Sequence, residues 1–246
     1  MEKRLKKKVS VVIPALNEEK AIKAVIKQVP VMALEKMGYE TEIIVVDNNS
    51  TDRTGEIARK HEATVIFQPI RGYGNAYKAG FDGATGDIIV TGDADMTYPF
   101  DAMPELLTKL DNDEIDFLNT DRLRNLNPEA MTLSHVFGNW LLSLTTKILF
   151  RWPYRDSQSG MWIFRREIWR YLDVQSDGMP FSQELKIEAY AKGFKCAEVP
   201  IEYRVRTGEV KLCTIGDGIG NMKQLFKKRL SMLRGGTDSI PQKTKI

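Results

Sequence analysis

Asp93 and Asp95 stand one residue apart in the stretch GDADMTYP at 92–99, directly after an apolar run at 87–91. Two carboxylates that close repel each other, and a divalent cation beside them removes the repulsion. Mg2+ takes one or two protein carboxylates and completes its shell with water and phosphate oxygens. An acidic pair at a strand end therefore suggests a metal–diphosphate site, with Asp93 and Asp95 as the metal ligands. The plainer alternative is an acid-rich turn that caps a helix. Asp-x-Asp spacing alone is a weak signal; its weight comes from the buried strand before it and from Asp47, which ends a second apolar run.

The elements that must hold these acids follow from the pattern of the first hundred residues. Residues 9–13 predict a strand, and residues 18–37 predict a helix broken near Pro30, with Ala21, Ile22, Val25, Ile26 and Val29 on one face. Residues 42–46 predict a strand buried on both faces, because 43–46 is a continuous β-branched run. Asn48-Asn49-Ser50-Thr51 is expected to cap a helix running through Lys60. A short strand at 64–67, a helix at 72–83 and a strand at 87–91 complete the alternation. This order predicts an α/β fold, a doubly wound and mostly parallel sheet in a single domain. Beyond residue 100 the expectations are a strand at 117–119, helices at 134–149, 165–172 and 182–192, and a strand at 197–201, where Pro200 suits an edge.

Parallel sheets of this kind bind ligands at the carboxyl ends of their strands. Pro14-Ala15-Leu16-Asn17-Glu18, Asp47-Asn48-Asn49-Ser50 and Asp93-Ala94-Asp95 are expected to converge there. Asp47 either faces the cleft and accepts hydrogen bonds from a base or ribose, or caps a helix. Arg71-Gly72-Tyr73-Gly74 offers small residues for close approach to a phosphate or base, but Tyr77 stands where a dinucleotide fingerprint needs its third glycine.

Composition narrows the partners. Of 246 residues 42% are hydrophobic and 28% charged, which suits a packed globular chain. The net charge of +3 is unevenly placed: residues 1–8 carry +4, residues 221–246 carry +6, and the remainder is acidic. Basic ends on an acidic body do not make a nucleic-acid binder; they suit an anionic membrane surface or serve as solubilising tails. Two cysteines and two histidines, all scattered, give no zinc site and no disulfide framework, which points to a reducing, cytoplasmic location. The apolar stretch 136–150 is too short and too polar to span a membrane, so a peripheral position on the membrane face is expected. Ile219, Met222, Leu225, Phe226, Leu230 and Leu233 recur at helical spacing among Lys223, Lys227, Lys228, Arg229 and Arg234, the pattern of an interfacial helix. The divisions expected are a basic tail at 1–8, a catalytic domain at 9–212 and a basic amphipathic helix and tail at 213–246.

VSVVIPALNEE at 9–19, IIVVDNNSTDRT at 43–54, RGYGNAYKAG at 71–80 and GDAD at 92–95 resemble inverting family 2 glycosyltransferases. NTDR at 119–122, DSQSGMWIFRRE at 156–167, FSQELKIEAYAKGFKCAEVPIEY at 181–203 and RTGEVKL at 206–212 are similar to dolichyl-phosphate hexose synthases. The resemblance implies a GT-A fold, Mg2+ or Mn2+, a UDP- or GDP-linked sugar donor and a dolichyl or other polyprenyl phosphate acceptor. It implies a donor site at Pro14, Ala15, Asn17, Glu18, Asp47, Asn48, Arg71, Gly72, Asp93 and Ala94. Arg206 and Lys211 fall on a basic loop that closes over the diphosphate. Arg122 falls on an acceptor-phosphate position, and Gln158, Ser159 and Gly160 on a loop lining sugar and acceptor.

Asp95, Arg122, Gln158 and Glu184 are thus the expected catalytic set. Glu184 has two readings: a cleft carboxylate, which would be the base for a hydroxyl acceptor, or an acid placed for the helix amino terminus. The sequence departs from the family pattern at Asn48, where a second acid is frequent. It also departs in the helix after NTDR, where His135 is the nearest basic residue, and in the spacing of Arg206 from Lys211. Two rival functions remain: a glycosyltransferase acting on a sugar or protein hydroxyl, and a nucleotide-sugar-binding, membrane-docking subunit without turnover.

Overall fold

The predicted alternation of apolar runs and helical periods is present in the computed structural model, which describes residues 7–208 and 214–235. Strands β1 (Lys7–Ala15), β2 (Tyr39–Asp47), β3 (Thr64–Phe67) and β4 (Ile88–Thr91) run parallel, crossed over by α1 (Ile22–Gln28), α2 (Val31–Lys36), α3 (Thr54–Lys60) and α4 (Tyr73–Gly83). Then follow α5 (Met103–Asn112), β5 (Phe117–Asp121), α6 (Leu133–Phe150), β6 (Trp162–Arg165), α7 (Phe181–Ala191), β7 (Cys196–Pro200) and α8 (Thr214–Gly235). All seven strands join one sheet in the order β3-β2-β1-β4-β6-β5-β7. β6 is antiparallel to both β4 and β5, whereas β7 pairs parallel to β5 at the edge, which places Pro200 where a missing donor is tolerated.

Successive side chains of β1 serve opposite layers. Val9, Val11 and Ile13 pack with Ile22, Val25 and Leu107 on one face, while Val12 packs with Tyr77, Phe81, Phe164 and Phe181 on the other. Both faces of the central strands are therefore covered, as their uninterrupted apolar runs require. A smaller cluster joins Leu142 and Phe150 of α6 to Ile187 of α7 and Leu225 of α8.

Several elements differ from expectation. The polar run 48–51 forms a loop rather than a cap; α3 starts at Thr54, whose amide donates to Asp52 Oδ1 at 2.9 Å. Residues 162–165 are a strand, and the expected helix beyond them is reduced to a 3-10 stretch at Arg166–Tyr171. β1 begins at Lys7, inside the expected tail. The apolar face expected of α8 divides: Leu225 is buried against α6 and α7, whereas Ile219, Phe226, Leu230 and Leu233 are exposed. Lys228, expected on its basic rim, is buried against α7.

Candidate active site

The sheet register brings the polar clusters to one edge. Ala15 pairs with Asp47, and Val12 pairs with Thr91, so the chain leaves β1, β2 and β4 side by side. A cleft of about 240 Å3 opens there, lined by Pro14, Ala15, Leu16, Glu18, Asn48, Gly72, Tyr73, Ala76, Asp93, Ala94, Asp95, Met179 and Arg206. A larger hollow of about 570 Å3 lies by Asp87 and Arg165, at the amino end of β4. Its arginines are already engaged, Arg165 with Asp111, Arg166 with the Gly86 carbonyl and Arg170 with the Tyr171 hydroxyl, so we take the smaller cleft, which holds the paired acids, as the active site.

Asp93 and Asp95 are close enough to interact. Burial first, and the Asp95 charge next, push the Asp93 carboxyl up to about 7, while Arg206 and Arg122 act against the rise. Tyr73 Oη donates to Asp93 Oδ1 at 3.3 Å. Asp95 is 2% exposed; its Oδ1 accepts from the Thr97 hydroxyl at 2.6 Å, and its Oδ2 meets Arg206 Nη2 at 2.6 Å. The Thr207 amide donates to the Asp95 carbonyl and the Arg204 amide to the Thr97 carbonyl, so the strip carrying Arg206 lies along 95–97. Lys211, its expected companion, lies outside the described residues.

The loops that follow β1 and β2 are tied by side chains. Asn17, with φ 53°, accepts the Thr51 amide at 2.7 Å. Asn48 donates to the Ile70 carbonyl and accepts the Gly72 amide, each at 2.8 Å. Asn48 therefore holds the start of α4 against the end of β2. A Cβ on Gly72 would meet the Asp177 carbonyl oxygen at 2.4 Å, and one on Gly74 the Ser176 carbonyl oxygen at 2.4 Å. The close approach these glycines permit is thus to the segment carrying Met179.

Other expected site residues stand behind the cleft or away from it. Asp47 Oδ1 accepts the Ser50 amide at 2.9 Å inside the loop after β2; Asp47 does not line the cleft, and it does not cap α3, which begins only at Thr54. Arg71 donates to the Asn49 carbonyl at 3.0 Å. Arg122 is buried and forks onto Asp156, Nε to Oδ2 at 2.7 Å and Nη2 to Oδ1 at 3.0 Å. Burial alone would raise the Asp156 carboxyl, but Arg122 outweighs it and holds it below its ordinary value. Gln158 donates to Gln183 at 3.0 Å and accepts from Asn221 at 3.2 Å. Glu184, 2% exposed, accepts the Ser176 amide at 2.9 Å and pairs with Lys228 at 3.2 Å, so it joins α7 to α8 instead of facing the cleft. His135 Nδ1 lies 2.9 Å from Thr132 Oγ1 at the start of α6.

Three contributors carried no expectation. Tyr73 stands between Gly72 and Gly74 and was readable from that position. Met179 comes from a loop with no distinguishing signal. Lys186 is buried on α7 and donates to the Ser157 carbonyl at 2.8 Å and the Ser159 carbonyl at 2.6 Å. Burial pulls its ammonium down to about 7. It fixes the loop that brings Gly160 beside Asp93, where a Gly160 Cβ would lie 3.5 Å from Asp93 Oδ1.

With this edge assembled, the likeness to known proteins is decisive. The Glycosyl transferase family 2 profile matches residues 10–172. The chain belongs to glycosyltransferase family 2. It is 40% identical to the low-salt glycan biosynthesis hexosyltransferase Agl6 of Haloferax volcanii over 211 residues, 85% of this chain and 51% of Agl6. The family 2 chain thus spans about half the length of that relative. It is 34% identical to the dolichyl-phosphate hexose transferase of the same organism over 219 residues, 89% of this chain and 92% of the relative. Glucosyl-3-phosphoglycerate synthase of Mycobacterium tuberculosis, in complex with Mn2+, UDP-glucose and phosphoglyceric acid, superposes with a TM-score of 0.71 at 21% identity, covering 91% of this chain and 80% of that one. The fold is GT-A, as the resemblance implied. Among the described residues no helix is long and apolar enough to cross a membrane.

Proposed function

We propose that this glycosyltransferase moves a hexose from a nucleoside-diphosphate sugar to a polyprenyl phosphate of the dolichyl type, with inversion at the anomeric carbon. The observation that carries the donor half is the pair Asp93 and Asp95 at the carboxyl end of β4, beside Arg206. The donor set fits a hard divalent cation, Mg2+ or Mn2+: two carboxylates interact at the end of one strand, and burial with the Asp95 charge holds Asp93 at about 7 although Arg206 and Arg122 act against the rise. The mycobacterial neighbour's complex with Mn2+ and UDP-glucose supports the same reading. Bound there, the cation supplies charge neutralisation for the departing diphosphate. Arg206 supplies a further positive charge on the same side.

In the transfer the bond from the anomeric carbon to the diphosphate oxygen breaks, and an acceptor phosphate oxygen bonds to the opposite face of that carbon. The phosphate is already anionic near neutral pH, so no proton has to be removed from it. The name of the dolichyl-phosphate hexose transferase relative supports this acceptor. So does the position of Glu184, since the base that a hydroxyl acceptor calls for is occupied with Lys228 and the Ser176 amide. Asn48 and Asn17 shape the nucleotide side by pinning its loops, and Lys186 with the Arg122–Asp156 fork fixes the acceptor-side loop.

Incubation with labelled UDP- and GDP-sugars, with and without dolichyl phosphate, tests the reading. A labelled lipid that needs one donor, the lipid phosphate and a divalent cation is the expected product. Transfer only to hydroxyl acceptors would replace the acceptor assignment. Binding of a nucleotide sugar without any transfer would leave a docking subunit.

A further inference from the structure

The longest exposed apolar surface belongs to α6, not α8. Leu133, Phe137, Trp140, Leu141, Leu144 and Ile148 are all solvent-facing, with Leu133 87% and Ile148 70% exposed. At 100° per residue they fall within an arc of about 100°. Leu142, Ser143, Thr146 and Phe150, the buried residues of α6, occupy the opposite side. α8 packs against α6 through Leu225 and carries its own exposed stripe of Ile219, Phe226, Leu230 and Leu233. A patch of this extent on a soluble domain marks a contact surface.

The charges beside it choose the partner. α6 contains no acidic residue, and exposed Lys147 flanks its stripe. On α8, Lys223, Lys227 and Arg234 lie on one side of the stripe and Arg229 on the other. A two-fold contact between copies would set these like-charged rims against each other. An anionic lipid surface complements both the apolar arc and the basic rim.

We propose that the outer faces of α6 and α8 form one docking surface for an anionic bilayer, seated chiefly by α6. Its purpose rests on the lipid-phosphate reading, although the surface itself does not. Both helices also reach the loop beside Asp93. Ser143 Oγ accepts the Ser157 amide at 3.1 Å, and Asn221 Nδ2 donates to Gln158 Oε1 at 3.2 Å. Seating these helices on a bilayer therefore orients the 156–160 loop with respect to the headgroup plane.

The test uses the full chain and vesicles free of donor and acceptor: phosphatidylcholine alone, or with a third phosphatidylglycerol. Cosedimentation is expected only with the anionic vesicles and should fall with salt. The triple substitution Phe137→Gln, Trp140→Gln, Ile148→Gln should weaken it by about tenfold or more. The same variant should turn over a short soluble polyprenyl phosphate at the original rate. Brominated lipid should quench the parent chain more than Trp140→Phe, a readout that stands even if the triple variant fails to fold. Unchanged vesicle binding by a folded triple variant, no binding by the parent chain, or a dimer that the triple variant abolishes would each overturn the proposal, the last by giving the face to a second copy. Vesicle binding with no labelled lipid from any donor would instead refute the acceptor reading and leave the docking surface standing.

Discussion

Replacing Lys228 by Met separates architecture from chemistry around Glu184. Lys228 Nζ lies 2.7 Å from Glu188 and 3.2 Å from Glu184 and donates to the Asp173 carbonyl at 2.7 Å. All three charged side chains are nearly buried, Lys228 at 6%, Glu184 at 2% and Glu188 at 3%. Removing the ammonium strands two carboxylates in a low-dielectric site, which costs about 3–5 kcal/mol. In a chain of this size each kcal/mol moves the melting temperature by roughly 2–4 °C, so a fall of about 10 °C is expected. Adding Glu184→Gln and Glu188→Gln should recover most of it, because the orphaned charges are then gone. Burial alone would lower the Lys228 pKa, but the hydrogen bond to Glu188 and the Glu184 charge outweigh it and hold it above its ordinary value. A raised ammonium contributes its full stability through neutral pH and loses it only as pH climbs through its own folded value. The gap between parent and variant should therefore persist through pH 9 and close in strong alkali, and it should narrow in acid as the stranded carboxylates take up protons. Circular-dichroism melts over that range, with turnover measured well below both transitions, decide the matter. An unchanged melting temperature for Lys228→Met, together with loss of turnover in Glu184→Gln, would refute this reasoning and return Glu184 to the chemistry.

Asp95→Asn removes one of the two proposed metal carboxylates and a partner of Arg206, and is expected to cut turnover by about two to three orders of magnitude while the fold survives, read by steady-state kinetics beside a melt. Asp93 is raised to about 7, so a proton competes with the cation below that pH. Mn2+ affinity by calorimetry should accordingly fall about tenfold per pH unit below 7 and level off above it. Without metal the same shift makes stability decline as pH rises from the ordinary aspartate range to about 7, since the native state holds that proton more tightly. Arg122→Met strands fully buried Asp156 and should cost about 3–5 kcal/mol in a denaturant titration; an unchanged titration with a raised KM for lipid phosphate would restore Arg122 to the acceptor.

The cleft at the carboxyl ends of β1, β2 and β4 was readable because its signals are local. Unbroken apolar runs mark β1, β2 and β4, and the polar residues after each run must emerge at one sheet edge once the strands are parallel. α5 carried no expectation, although Met103, Leu106, Leu107 and Leu110 keep a helical period. β6 was not readable: its four residues pair with strands more than forty positions upstream, and nothing in Trp162–Arg165 itself separates a strand from a helix start. The same limit applies to side chains. Asp47 and Asn48 are neighbours of similar shape, and only the turn geometry gives the cleft to Asn48. Arg122 looks like a phosphate ligand until Asp156, from a different loop, closes around it.

The reversed direction of β6 has a consequence for how such a chain can change. β1, β2 and β4 present to the cleft the loops that follow them, whereas β6 carries the loop before it behind Asp93, where a Gly160 Cβ would lie 3.5 Å from Asp93 Oδ1. These two sets of loops are therefore attached to the sheet with opposite polarity. Lengthening or exchanging residues 150–160 alters the loop behind Asp93, between β5 and β6, while the register of Ala15 with Asp47 and of Val12 with Thr91 is set by other strands. A graft of that loop between related transferases should carry acceptor preference with it and leave the donor preference of the host chain in place.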